Sequence, residues 1–115
     1  MCTDIRLVRL SDRHISGRTL DFGYDVESRV QVVPRGQDHS AVATDTSAQT
    51  LTWSNDLGYV GMDAFGFAWA ICDGLNEAGL SVGTLWLPET KLPTSPPTDD
   101  GTGVIDFVNL AGWTL

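Results

Sequence analysis

Cys2 is the second residue of the chain, directly after Met1. A methionine is readily removed when the residue behind it is small, and cysteine is small. Removal leaves a thiol and a free α-amine on one residue. An α-amine titrates at about 7.7–8.0, well placed for a general base near neutral pH. A thiol is the side chain most easily made nucleophilic in that range. One residue can then supply both nucleophile and base. The plain alternative is a cysteine that only packs. Arg18 and Asp21, both in GRTLDF (17–22), are candidates to stand beside it. An arginine next to a thiol favours the thiolate. A carboxylate can accept a hydrogen bond from the α-amine and hold it. A surface Arg–Asp pair contributing little stability fits the same residues, and their spacing alone leaves both readings open.

Other groupings carry less. Cys2, His14, His39 and Cys72 are separated by 12, 25 and 33 residues, which fits no compact zinc pattern. Cys72 follows Ile71 in an apolar run and reads as a small core residue. Asn76 and Glu77 stand between Gly74 and Gly79 and read as turn residues. Trp86, in LWLP, is either a core tryptophan or a flat apolar wall for a ligand. Asp99 and Asp100 follow Pro-Pro-Thr and read as a solvated loop, and Gly101 with Gly103 is too little for a phosphate-binding loop.

The elements that must position these residues are mostly strands. Ile5-Arg6-Leu7 alternates within a strand over 2–10, and a turn at 11–13 leads into a second strand at 14–20. The two would pair as a hairpin, which returns Arg18 and Asp21 towards Cys2. Residues 29–33 (RVQVV) form a third strand ended by Pro34. Residues 36–50 are polar and read as a surface loop. Two short strands are expected between Trp53 and Phe67, a buried one at 67–71, turns over 73–80 and a strand at 80–87. Pro93, Pro96 and Pro97 forbid regular structure between 88 and 103. In 104–115, Ile105, Val108 and Leu110 lie near Trp113 at rough helical spacing and predict the one helix. No capping glycine or closing element follows it, so a fragment of a longer protein is expected.

Composition bounds the rest. The 115 residues suit one small domain or part of a larger one. Lys plus Arg number 7 against 15 Asp plus Glu, a net charge of −8 that disfavours nucleic-acid binding. Apolar residues make up 42%, enough for a core. No run approaches the ~20 apolar residues of a membrane-spanning helix. No basic stretch followed by an apolar one marks a signal peptide, so a cytoplasmic location is expected.

Four blocks in order carry a resemblance: MCTDIRL at the start, GRTLDFGYDVESRVQVVPRG at 17–36, GYVGMDAFG at 58–66 and DGLNEAGLSVGTLWLP at 73–88. The chain resembles the choloylglycine hydrolase family of N-terminal-nucleophile enzymes, which includes bile salt hydrolases and penicillin V acylases; NLAGWTL (109–115) looks like a helix of that family. The resemblance implies an α+β fold, with residues 1–115 as the amino-terminal, mostly β part of a four-layer αββα sandwich truncated at its C-terminal end. It implies hydrolysis of a linear non-peptide amide in a small-molecule acyl substrate, without metal or cofactor. Cys2 matches the nucleophile, and Arg18 and Asp21 match the arginine and aspartate beside it. The thiolate attacks the carbonyl, the α-amine passes the proton to the leaving amine, and water opens the thioester. The oxyanion hole implied is a backbone N–H placed at Trp86 plus a later asparagine. That asparagine and a second arginine would lie beyond residue 115, so the 115-residue chain alone is expected to be inactive. Bile salt hydrolases typically carry asparagine where Trp86 stands and penicillin V acylases an aromatic residue, which favours penicillin V or N-acyl amides. Cleavage of glycine or taurine conjugates of bile acids is the alternative within the family, and a non-catalytic acyl-binding fragment the alternative outside it. Family members commonly form tetramers, so the full-length parent could be a homotetramer.

Overall fold

A computed structural model of the chain describes residues 2–8, 14–41, 51–85, 87–91 and 105–115. It divides into two compact units. The first is built on an antiparallel hairpin of β1 (Cys2–Val8) and β2 (His14–Leu20), in the register Cys2↔Leu20 through Val8↔His14. The predicted turn at 11–13 lies outside the described residues.

The second unit holds an antiparallel sheet of β3 (Val30–Val33), β6 (Tyr59–Ala64), β7 (Phe67–Asn76) and β8 (Ser81–Gly83), in the spatial order β3-β6-β7-β8. A separate pair joins β4 (Asp38–Ser40) to β5 (Thr52–Ser54). The 36–50 loop expected from polarity therefore contains a strand: polar Asp38 and Ser40 face outward while His39 stacks on Trp53 across the pair, ring centroids 5.2 Å apart. β7 runs through the stretch read as turns, to Asn76, because Gly74 and Leu75 pair with β6 and β8 at once. The turn is confined to 77–79, and β8 is shorter than expected.

Alternation sets which side of the sheet is covered. Tyr59, Gly61 and Asp63 of β6 point inward with Val33 of β3 and Ile71 of β7, while Val30, Val32, Val60 and Met62 are exposed on the other side. The covered side meets α1 (Phe107–Thr114), and the core is Val33, Tyr59, Ile71, Ala111 and Leu115, with Val82 against it. Burying each large apolar member contributes about 1.5–3 kcal/mol. Tyr59 is 5% exposed, and burial pushes its phenol pKa up.

The helix forms where predicted but presents a different face. Asn109, Ala111, Gly112 and Leu115 are buried, while Leu110 and Trp113 are half exposed. The reason is close approach: a Cβ on Gly74 of β7 would collide with Leu115 Cδ1, and one on Gly112 would sit 3.6 Å from Ile71 and the Tyr59 hydroxyl. Large residues on the inner face would lift the helix off the sheet. Asp106 caps the helix start, its Oδ1 accepting the Val108 N–H at 3.4 Å.

Candidate active site

The three residues picked out for chemistry in the amino-terminal part all lie on or beside the β1–β2 hairpin. Directly paired residues of an antiparallel ladder share a face. Cys2 and Leu20 are paired, and so are Asp4 and Arg18, so Cys2 and Arg18 lie on one face, on neighbouring strands and two rungs of the ladder apart. At such a diagonal the α-carbons are about 7–8 Å apart, a span that a long arginine side chain can cross. Cys2 is half-buried and in no disulfide, and Arg18 is also half-buried.

Asp21 follows β2 by one residue. Its Oδ2 accepts the Thr19 hydroxyl at 2.9 Å. Thr19 is paired with Thr3, and its Oγ1 in turn accepts the Thr3 N–H at 3.3 Å. The carboxylate is thus tied to the main chain one peptide bond from the nitrogen of Cys2. Thr3 and Thr19 lie on the face opposite to the Cys2 side chain, so Asp21 is held on the main-chain side of the cysteine. That same face carries Ile5, Leu7 and Ile15, which with Gly17 border an apolar hollow of about 300 Å³.

Thr19 did not figure in the sequence reading. The signal was available: in a strand, residues two apart share a face, which puts a hydroxyl beside the carboxylate of RTLD. The hairpin register adds the second partner, Thr3.

Trp86 lies outside the described residues. The chain approaches it through Thr84, whose N–H donates to the Cys72 carbonyl at 2.8 Å. Cys72 is itself the extra residue of a β-bulge between Met62↔Asp73 and Asp63↔Ile71. Its thiol donates to the Met62 carbonyl at 3.2 Å, so it serves the sheet. Glu77 is a turn residue, as its place between glycines implied, whereas Asn76 is the last residue of β7 and closes the turn with its side chain. Asn76 Oδ1 accepts the N–H groups of Ala78 and Leu80, and its Nδ2 donates to the Leu115 carbonyl.

A buried carboxylate also escaped the sequence reading. Asp63 is fully buried, and its two oxygens accept the Arg29 N–H and the Gln31 Nε2, each at 2.7 Å. Its own N–H donates to the Arg29 carbonyl at 2.9 Å. Arg29 directly precedes β3 and Gln31 is its second residue, so Asp63 anchors the start of that strand. Among the described residues no group of three or more His, Cys, Asp and Glu side chains is gathered as a metal ion would require, and no helix is long and apolar enough to cross a membrane.

Residues 2–115 match the family described as linear amide C–N hydrolases, choloylglycine hydrolase family. A penicillin V acylase of Pectobacterium atrosepticum is 32% identical over 106 residues, which cover 89% of this chain and 26% of the relative. The chain therefore spans about a quarter of the length of that curated relative. With a family match over nearly its whole length, the chain belongs to the choloylglycine hydrolase family of linear amide C–N hydrolases.

Proposed function

We propose that the complete protein hydrolyses a linear, non-peptide amide through an acyl-cysteine intermediate on Cys2. The observation that carries this reading is the hairpin end: Cys2 opens β1, shares a face with Arg18, and has the Asp21 carboxylate tied beside its main chain. Loss of Met1 turns the Cys2 nitrogen from an amide, which is no base, into an amine. The amine takes the thiol proton as sulfur attacks the carbonyl carbon, and returns it to the leaving amine as the C–N bond breaks. Water then adds to the thioester, and the thiol leaves with the proton restored. Arg18 favours the thiolate, and Asp21 orients the amine. The Trp86 N–H and an asparagine later in the complete protein would face the oxygen on which charge develops, each such donor contributing about 2.7–4 kcal/mol. Residues beyond 115 would complete the four-layer αββα sandwich, and without them the 115-residue chain is inactive.

For the substrate we favour penicillin V or a fatty N-acyl amide. The similarity to a penicillin V acylase and the indole at Trp86 support this class. A flat apolar wall suits a phenoxyacetyl or fatty acyl group, gaining about 25 cal/mol per Å² of apolar area buried. The test uses the complete protein. Intact mass of active material should start at Cys2, and Cys2→Ser should fold normally while losing at least about a hundredfold in kcat. Unchanged turnover by Cys2→Ser would remove Cys2 as nucleophile. Values of kcat/KM should favour penicillin V or a fatty N-acyl amide over glycocholate, and Trp86→Asn should narrow the ratio. A tenfold preference for glycocholate would refute the substrate assignment.

A further inference from the structure

We infer that Thr19 is a positioning residue for the proposed reaction: its hydroxyl holds the Asp21 carboxylate against the main chain that carries Cys2. The inference rests on the reading of Cys2 and Asp21 given above and adds a residue to it.

The geometry is a relay of two hydrogen bonds. The Thr3 N–H donates to Thr19 Oγ1 at 3.3 Å, and the same oxygen donates its proton to Asp21 Oδ2 at 2.9 Å. Only a side chain that is acceptor and donor at one atom can do both, and among short side chains that means serine or threonine. The second bond is charge-assisted, the stronger kind. Threonine adds stiffness, because branching at Cβ restricts χ1 in a strand. The cross-strand pair Thr3↔Thr19 sets the position of the hydroxyl, so the ladder of β1 and β2 is transmitted to a carboxylate that lies just past the ladder's end. Asp21 itself is exposed and lies just past the end of the strand. A group that must orient an amine to within a fraction of an ångström gains from such a tether.

A purely structural role predicts something else. Threonine hydroxyls at exposed strand ends often bond locally and contribute little stability. The two roles separate in kinetics. In the complete protein, Thr19→Val removes the hydroxyl and keeps the shape, and Thr19→Ser keeps the hydroxyl. With penicillin V as the probe substrate, or whichever amide the complete protein cleaves fastest, Thr19→Val should lose about ten- to a hundredfold in kcat. Its KM should stay within about threefold and its Tm near that of the parent, and Thr19→Ser should return kcat to within about fivefold of the parent. Thr19→Ala, which removes the same hydroxyl without placing a methyl against Asp21, should show the same split if the valine variant does not fold. Parental kcat in Thr19→Val or Thr19→Ala overturns the inference. So does a loss that follows Tm and that serine does not restore. Asp21→Asn is measured alongside: if it remains fully active, the role of Asp21 fails and this inference with it, whereas an inactive Asp21→Asn beside a fully active Thr19→Val refutes Thr19 alone.

Discussion

Glu77 illustrates how much one exposed side chain can organise. Arg35 grips its carboxylate with two hydrogen bonds, Nε to Oε1 at 2.6 Å and Nη2 to Oε2 at 2.7 Å, and the Gly58 N–H adds a third to Oε1 at 2.6 Å. The Arg35 bonds first, and then the Gly58 bond, hold the Glu77 pKa down at about 2, against an ordinary 4.5. Because the folded value lies below the unfolded one, the stabilisation is present above the ordinary value and is lost as pH falls through the interval between them. The grip joins the turn after β3, the start of β6 and the β7–β8 turn, which is more than an isolated surface ion pair does. In the complete protein, Glu77→Gln should lower Tm at pH 7, and the gap to the parent should close as pH falls from about 4.5 to about 2. Thermal melts at several pH values check this, and a gap that is constant with pH would exclude the linkage.

At the scale of elements, the contact between α1 and the sheet depends on missing side chains. Gly74 and Gly61 of the sheet and Gly112 of the helix let Leu115 and Ile71 fill the space between. Gly74→Ala would drive a methyl into Leu115 Cδ1 and towards the Val60 carbonyl. Overpacking of this kind costs about 1–3 kcal/mol, so a Tm several degrees lower is expected. Gly23→Ala, where an added Cβ meets nothing within 4 Å, should leave Tm unchanged. The β6–β7 turn shows the opposite economy. Phe65 and Gly66 both have positive φ, 61° and 70°, as a two-residue hairpin turn of this hand requires. Glycine meets that requirement freely, while Phe65 carries a strain of about 1–2 kcal/mol. The Phe65 N–H, donating to the Val26 carbonyl at 2.7 Å, helps hold it there.

For the whole molecule, apolar surface remains after the core is built. Val30 and Val32 are 70% and 76% exposed, and Val60, Met62 and Leu75 beside them are about half exposed. On the sheet ladder these residues are neighbours: Val30↔Met62, Val32↔Val60 and Val60↔Leu75. A contiguous apolar face of this kind is uncommon on a soluble monomer. The 115-residue chain made alone should bind a hydrophobic dye or self-associate, and a Val32→Lys, Val60→Lys pair should cut the dye signal at least by about half. A monodisperse, dye-negative chain would show that the face needs no cover.

Much of this was legible without coordinates. Alternation in Ile5-Arg6-Leu7 and the valines of 29–33 marked β1 and β3, because the side-chain period of a strand is written locally. Cys2 behind Met1 marked itself as the candidate nucleophile through residue type and position. The family was legible because four blocks recur in order. Other features depended on partners distant in sequence. The polar strand β4 exists only because β5 pairs with it, and polarity by itself indicates a loop. The inner face of α1 is made of small residues because the sheet below is close, whereas helical spacing of large residues pointed to the wrong face. Asp63 is an ordinary acidic residue in the sequence, and only its burial against Arg29 and Gln31 makes it an anchor. Thr19 acquires its role from a register, Thr3↔Thr19, that two strands must meet to define. Local chemistry and periodicity are properties of neighbours along the chain. Close approach, burial and register are properties of neighbours in space, and only the tertiary structure decided them.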